Sequence, residues 1–303
     1  MSRLVCCFLI TLFLNTGAGN ELSPRPDTAH APHGPSPERQ TQGTTPGTAP
    51  GTTPEARGTW VARRVDERDT GRDTRLAIRM RLVDRHGRVN ERRLTILGLR
   101  GGPGRPAPGD RTLVRFTYPN DIKGTGLLVW EHPNADDERF LYLPSLGRVR
   151  RIAGAEAQES FVGSDLTFED MGGREFDDYT YRLLGEGDRA TAWAGADGVS
   201  HPVYTLESRH KNPSVRFPRV VSSVRRDNFV VVRAVIYNRR GEPQKTFEVQ
   251  KLDRIKGYWT SLDLRMSDAL QRTRTELVVE SAEYDVGLTA DAFSRRELER
   301  GGR

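Results

Sequence analysis

Cysteine is almost missing from this 303-residue chain: there are two, Cys6 and Cys7, side by side near its start. If that stretch is removed, no thiol and no disulfide remain, which excludes thiol catalysis and cysteine-ligated metal and leaves the fold to rest on a packed core. Lysine is nearly as scarce, with five residues at 123, 211, 245, 251 and 256, so the net charge of +6 is carried by arginine. Acidic residues are interleaved with those arginines along the whole chain. Helix-turn-helix, zinc-finger and aromatic RNA-platform patterns are all missing, so nucleic acid is not an expected partner and anionic lipid is the better match for the positive surface. Uninterrupted apolar stretches are short, none reaching the ~20 residues that cross a bilayer.

What is present begins with a tripartite leader. Arg3 precedes the apolar run 4–14 (LVCCFLITLFL), and small and polar residues follow from Asn15 to Gly19. This is the layout of a secretory signal peptide over residues 1–20, with cleavage near Ala18, and it predicts export to the periplasm. Residues 21–58 are dominated by Pro, Thr and Gly and hold almost no large apolar side chain besides Leu22. A segment of that composition cannot bury enough area to offset the entropy of ordering, so it reads as a disordered tether. Residues 59–303 are long enough for one domain with a substantial core.

Within that domain the hydrophobic period is two. Residues 75–82 (RLAIRMRL) alternate apolar and polar, which predicts an antiparallel strand with one face buried. A turn at 84–88 leads into a second strand over 89–97, and further strands are expected at 111–118, 125–131, 139–143, 179–184 and 203–209. The last third predicts a hairpin over 228–238 and 244–252 around Gly241, then strands at 258–266 and 273–286. A short helix is expected after Thr289, through Phe293 and Leu298, with weaker helical patterns at 59–67 and 155–161. Many consecutive strands with few helices predict a mainly β (α+β) fold, a strongly bent antiparallel sheet or incomplete barrel. Residues 127–130 and 140–143 are apolar on both faces, and each buried side chain of this size is worth roughly 1.5–3 kcal/mol. Such a sheet must close on its own side chains or be filled by an apolar ligand.

Few residues suggest chemistry. Ser164 stands in GSD rather than in a Gly-x-Ser-x-Gly elbow, and His132, His201 and His210 have neither the spacing of a base nor that of a zinc pair. Asp136, Asp137 and Glu138 are adjacent carboxylates of the kind usually solvated in a hairpin loop, although they raise calcium as an alternative. No catalytic residue, metal or cofactor is expected. Lys123, in DIKGT, reads either as part of a turn at Gly124 or as a cation at a cavity rim. Arg148, Arg150 and Arg151, in RVRRI, read either as forks for a phosphate, carboxylate or partner, or as salt-bridge partners of Asp165, Glu169 or Asp170.

The block from 121 to 171 combines DIKGT, LYLP, RVRRI, GSD and a closing aromatic-Glu-Asp in one order. In this it resembles the outer-membrane lipoprotein-sorting proteins, relatives of the periplasmic carrier LolA. The resemblance implies a LolA-like unclosed antiparallel β-barrel, with a few short helices covering an apolar cavity. It also implies a non-enzymatic periplasmic carrier that moves lipid or lipoprotein acyl chains toward the outer membrane. Some members work with inner-membrane exporters of the RND type, so a non-catalytic envelope-assembly module is the alternative. On the carrier reading Phe116, Leu127, Val129, Phe140, Tyr142, Phe161, Phe168 and Trp259 are the expected acyl-lining residues. Lys123, Arg148, Arg150 and Arg151 would contact the headgroup or a partner.

Overall fold

The alternation of period two is realised as one very large sheet. The structure, a computed structural model, describes residues 51–301 apart from 103, 133–134, 173–175, 187–192 and 196–197. The expected signal peptide and most of the expected tether therefore lie outside the described residues. Strands β1 (Asp73–Val83), β2 (Val89–Leu99), β3 (Arg111–Tyr118), β4 (Gly126–His132), β5 (Ala135–Leu143) and β6 (Arg148–Ile152) run up and down in chain order. After the short pair β8 (Trp193–Ala194) and β9 (Ser200–His201), a second meander follows: β10 (Val203–His210), β11 (Arg219–Arg225), β12 (Val231–Tyr237), β13 (Pro243–Ile255), β14 (Tyr258–Asp268) and β15 (Thr273–Tyr284). Pairing of β1 with β15 joins the two, and β7 (Tyr179–Glu186) adds to β10, giving a 13-stranded antiparallel sheet in the order 6-5-4-3-2-1-15-14-13-12-11-10-7. The sheet does not close, and β6 and β7 are its edges.

This order determines what fills the sheet. Because β6 and β7 are consecutive in sequence yet sit at opposite edges, the chain between them must travel from one edge to the other. It does so as a chain of 3₁₀ turns, including Gly154–Gln158, Phe161–Gly163, Glu169–Met171 and Phe176–Asp178. Ala157, Phe161, Leu166, Phe168 and Met171 of this crossing segment are buried in one cluster with inward residues from both meanders, among them Leu76, Ile96, Val114, Leu127, Phe247 and Leu277. An open sheet of this width curls around its apolar face, and the crossing segment packs into the curl.

Two helices cover what the crossing segment does not. Helix α1 (Pro54–Asp66) starts inside the stretch whose composition reads as tether, because Thr53 accepts a hydrogen bond from the Ala56 amide (3.2 Å), Pro54 opens the first turn and Glu55 lies at the positive end of the dipole. Its buried face, Gly58, Val61, Ala62 and Val65, packs with Tyr181, Leu183, Leu206 and Val224 in a second cluster. Gly58 is required there: a Cβ at this position would lie 2.7 Å from the backbone of Arg182. Helix α2 (Arg295–Arg300), capped by Ser294, buries Leu298 completely and follows a 3₁₀ turn that buries Phe293. Together they cover the opposite face of the first meander, where Trp130 donates its indole N–H to the Phe293 carbonyl (2.7 Å). The expected late helix is thus a 3₁₀ turn plus a short α-helix, and the pattern at 155–161 forms 3₁₀ turns bounded by positive φ at Gly154 on one side and at Val162 and Gly163 on the other.

Candidate functional site

The eight residues expected to line an acyl site divide between the two faces of the sheet. Phe116, Leu127, Val129, Phe161 and Phe168 share the inner cluster, and half-buried Trp259 packs at its margin. Phe140 and Tyr142 point the other way, into the cluster under Phe293 and Leu298, while Leu141 between them faces inward. Strand parity dictates this split. Leu127 pairs with Leu141 and Leu128 with Phe140, so a strand apolar on both faces sends every second side chain away from the inner face.

The inner face is filled by the chain itself. The Phe161 ring lies 5.7 Å from that of Phe116 and meets Phe168 edge-on at 5.6 Å, so the crossing segment's aromatics occupy the space between the strands. Polar contacts lock it in place. The Asp165 carboxylate accepts hydrogen bonds from the Thr273 hydroxyl and the Thr275 hydroxyl (2.7 Å), and its backbone N–H donates to Thr275 Oγ1 (2.9 Å). The Asp165 carbonyl accepts from Lys245 Nζ (2.6 Å). Arg92 donates to the Val162 carbonyl and Arg216 to the Gln158 carbonyl (3.1 Å). The turn these contacts hold has Val162 and Gly163 both at positive φ, 48° and 74°, which is unusual for a β-branched residue. Beside it a cleft of about 460 Å³ opens, whose lining includes Asp165, Lys245, Thr273 and Arg92.

Of the cations expected at the rim, Lys123 and Arg148 lie at the same end of the sheet. Lys123 is exposed in the turn between β3 and β4, where Gly124 (φ +84°) donates its N–H to the Phe116 carbonyl (2.8 Å). Gly126 pairs with Tyr142 and Tyr142 with Val149, so the register puts Arg148 at the same end of the sheet as that turn. Arg148, Arg150 and Arg151 are exposed on the edge strand β6, whose Val149 and Ile152 pack on opposite faces. The salt bridges weighed for these arginines do not form with Asp165, Glu169 or Asp170 among the described residues. Arg150 pairs with Glu156 and Arg151 approaches Glu138 (3.8 Å), because Asp165 is turned inward to the β15 threonines.

No cluster of three or more metal-binding side chains occurs among the described residues. Asp137 pairs with Arg139 (3.0 Å) and Glu138 is within hydrogen-bond distance of His132 (3.1 Å), so both carboxylates are engaged within the hairpin. The Ser164 hydroxyl is buried and donates to the Phe161 carbonyl (2.7 Å), closing a turn. His201, in the β8–β9 pair, lies beside Arg225 (3.0 Å), and His210, at the end of β10, accepts from the Asn212 amide (2.9 Å). Sequence reading passed over Leu166 and Met171 as members of the inner cluster and Asp165 as its anchor. The two threonines that hold the Asp165 carboxylate lie more than 100 residues away in the chain, beyond the reach of any local pattern.

Comparison with known proteins agrees with this architecture. Residues 108–300 match a family model described only as an uncharacterized protein. None of the curated proteins compared matches the chain. Among solved structures, a DUF1329 family protein from Desulfovibrio piger is 30% identical with a TM-score of 0.73, the match covering 82% of this chain and 100% of that one. An outer membrane lipoprotein-sorting protein domain from Vibrio parahaemolyticus is 24% identical (TM-score 0.71; 80% and 98% covered), and a LolA superfamily protein from Nitrosomonas europaea is 18% identical (TM-score 0.60; 79% and 98% covered). The chain therefore belongs to the DUF1329 family, and its unclosed 13-stranded antiparallel sheet is a LolA-like fold.

Proposed function

We propose that this protein is a periplasmic, non-enzymatic carrier that binds lipid or lipoprotein acyl chains against the inner face of the sheet and moves them across the envelope toward the outer membrane. The observation that carries this reading is the cover of the inner face. An extensive apolar cluster is roofed on one side by irregular 3₁₀ turns, tied down by a few polar contacts centred on Asp165, rather than by a long packed helix. Such a cover opens at lower cost than a strand or helix, because few backbone hydrogen bonds must break together. An acyl chain that replaced Phe161 and Phe168 would meet Phe116, Leu127 and Val129, with Lys123, Arg148, Arg150 and Arg151 as cations for a headgroup or partner. Organic extracts of the purified mature domain, analysed by mass spectrometry, are expected to contain lipid. A lipid-free protein that also ignores fluorescent acyl probes refutes the proposal.

A second reading is favoured by the close contact of Phe161 with Phe116 and Phe168, which leaves the inner face solid. On it the protein is a non-catalytic envelope-assembly module that binds a protein, an inner-membrane RND-type exporter for instance, through an open sheet edge. This reading predicts co-purification of a partner with a lipid-free domain.

A further inference from the structure

Away from the crossing segment, a cleft of about 960 Å³ opens between α1 and the β13–β14 hairpin. Trp60, Arg63 and Arg64 stand at i, i+3 and i+4 on α1 and so share a face toward it. Across the gap, Lys256 and Gly257 form a two-residue turn with both φ positive, 49° and 91°, the geometry that suits a tight hairpin, and it carries Arg254 and Lys256 to the opposite lip. The walls are aromatic: Trp60 packs edge-on against Phe229 (5.6 Å), and the Arg254 guanidinium lies 5.4 Å from the ring centre of Trp259. The cleft adjoins two cores, since Trp259 packs on the inner cluster and Trp60 on the cluster beneath α1.

Its acidic residues are already engaged. Glu67 sits 3.6 Å from Arg64, Asp227 accepts from Arg225 (2.5 Å), and Asp69 accepts from the Gly71 amide (3.1 Å). Arg254 and Lys256, by contrast, are exposed and have no ion pair among the described residues. Tyr258, also in the lining, donates its hydroxyl to Asp285 (2.7 Å), and that hydrogen bond, reinforced by burial, pushes its pKa up to about 12, so the phenol stays neutral. A phosphate matches two cations that have no carboxylate partner among the described residues, one of them a guanidinium fork. A cleft of this size with indole walls exceeds what a free inorganic anion fills and fits an amphiphile.

We propose that this cleft holds a single anionic phospholipid, its phosphate between Arg254, Lys256 and the α1 arginines and the start of its chains between Trp60 and Trp259. The inference rests on the carrier reading and adds to it a second lipid site, apart from the inner face and from Lys123 and the β6 arginines. Tryptophan fluorescence of the mature domain titrated with dihexanoyl-phosphatidylglycerol below its micelle concentration is expected to show affinity at least about tenfold above that for dihexanoyl-phosphatidylcholine. The double variant Arg254→Gln/Lys256→Gln is expected to remove that preference while keeping the wild-type melting temperature and uptake of an uncharged acyl probe. Equal affinity for the two lipids, or an unchanged preference in the variant, overturns the site. Displacement of phosphatidylglycerol by an equal concentration of inorganic phosphate also overturns it, because the site would then read the anion alone. If the wild type takes up the acyl probe without headgroup preference, only this cleft is refuted; if it takes up neither probe, the carrier reading falls as well.

Discussion

Phe161→Ala separates a structural plug from a replaceable one. The side chain is 1% exposed and touches the rings of Phe116 and Phe168. Truncating a fully buried phenylalanine costs about 3–5 kcal/mol, through lost transfer energy and the cavity left behind. The backbone of the turn is held independently: the Phe161 N–H donates to the Leu166 carbonyl (2.7 Å), and its own carbonyl accepts from the Ser164 N–H (3.0 Å) and hydroxyl (2.7 Å). The loss should therefore report packing rather than collapse of the turn. Urea unfolding is expected to show a fall of about 3–5 kcal/mol, and a double-mutant cycle of Phe116→Leu with Phe161→Leu a coupling of about 0.5–1.5 kcal/mol. On the carrier reading the vacated volume also raises affinity for a fluorescent acyl probe. A stability loss below about 1 kcal/mol refutes the packing argument, and unchanged probe affinity counts against the inner face as the acyl site.

Gly58→Ala is expected to lower the melting temperature even though alanine improves helix propensity by about 1 kcal/mol, since its methyl would meet the Arg182 backbone at 2.7 Å and overpacking typically costs about 1–3 kcal/mol; a rise in melting temperature contradicts that contact. Burial alone would raise the Glu207 carboxyl, but hydrogen bonds from Arg209 (2.9 and 3.0 Å) and Arg219 (2.7 Å) outweigh it and hold its pKa below the ordinary value. A depressed folded-state pKa gives stability that is present above the unfolded value of about 4.3 and is lost as pH falls through the folded one. Glu207→Gln should therefore flatten the acid limb of stability against pH below about 4, and an unchanged slope refutes the assignment.

Much of the sheet could be read from side-chain alternation. The strand expected at 111–118 is β3 to the residue, and those expected at 75–82 and 258–266 lie within β1 and β14. Alternation works there because one face is wet and one dry, so the sequence itself carries the phase. It fails at β11, where Val220-Val221-Ser222-Ser223 mixes small polar and apolar residues without a clear phase, and this strand went unread. It is also silent at β4 and β5, where both faces are dry. Nothing in 140–143 distinguishes inward Leu141 from outward Phe140 and Tyr142, and only the late chain bearing Phe293 and Leu298 explains why the second face is apolar. The N-terminal boundary was hidden for another reason: Thr53 and Pro54 look like more of a Pro-Thr-rich run, yet they are the cap and first residue of α1.

By itself, then, the sequence determined a cysteine-poor, arginine-rich domain of alternating strands and a block that resembles the lipoprotein-sorting proteins. Those properties are local, written in composition and in a period of two. Tertiary structure decided which edge each strand occupies, and hence that the chain between β6 and β7 must cross the inner face and fill it. It also decided that Asp165 faces two threonines of β15 rather than the arginines of β6, and that α1 and the β13–β14 turn meet across a cationic cleft. These contacts join residues some 100 to 200 positions apart, and their partners are chosen by sheet order, which no short window of sequence contains.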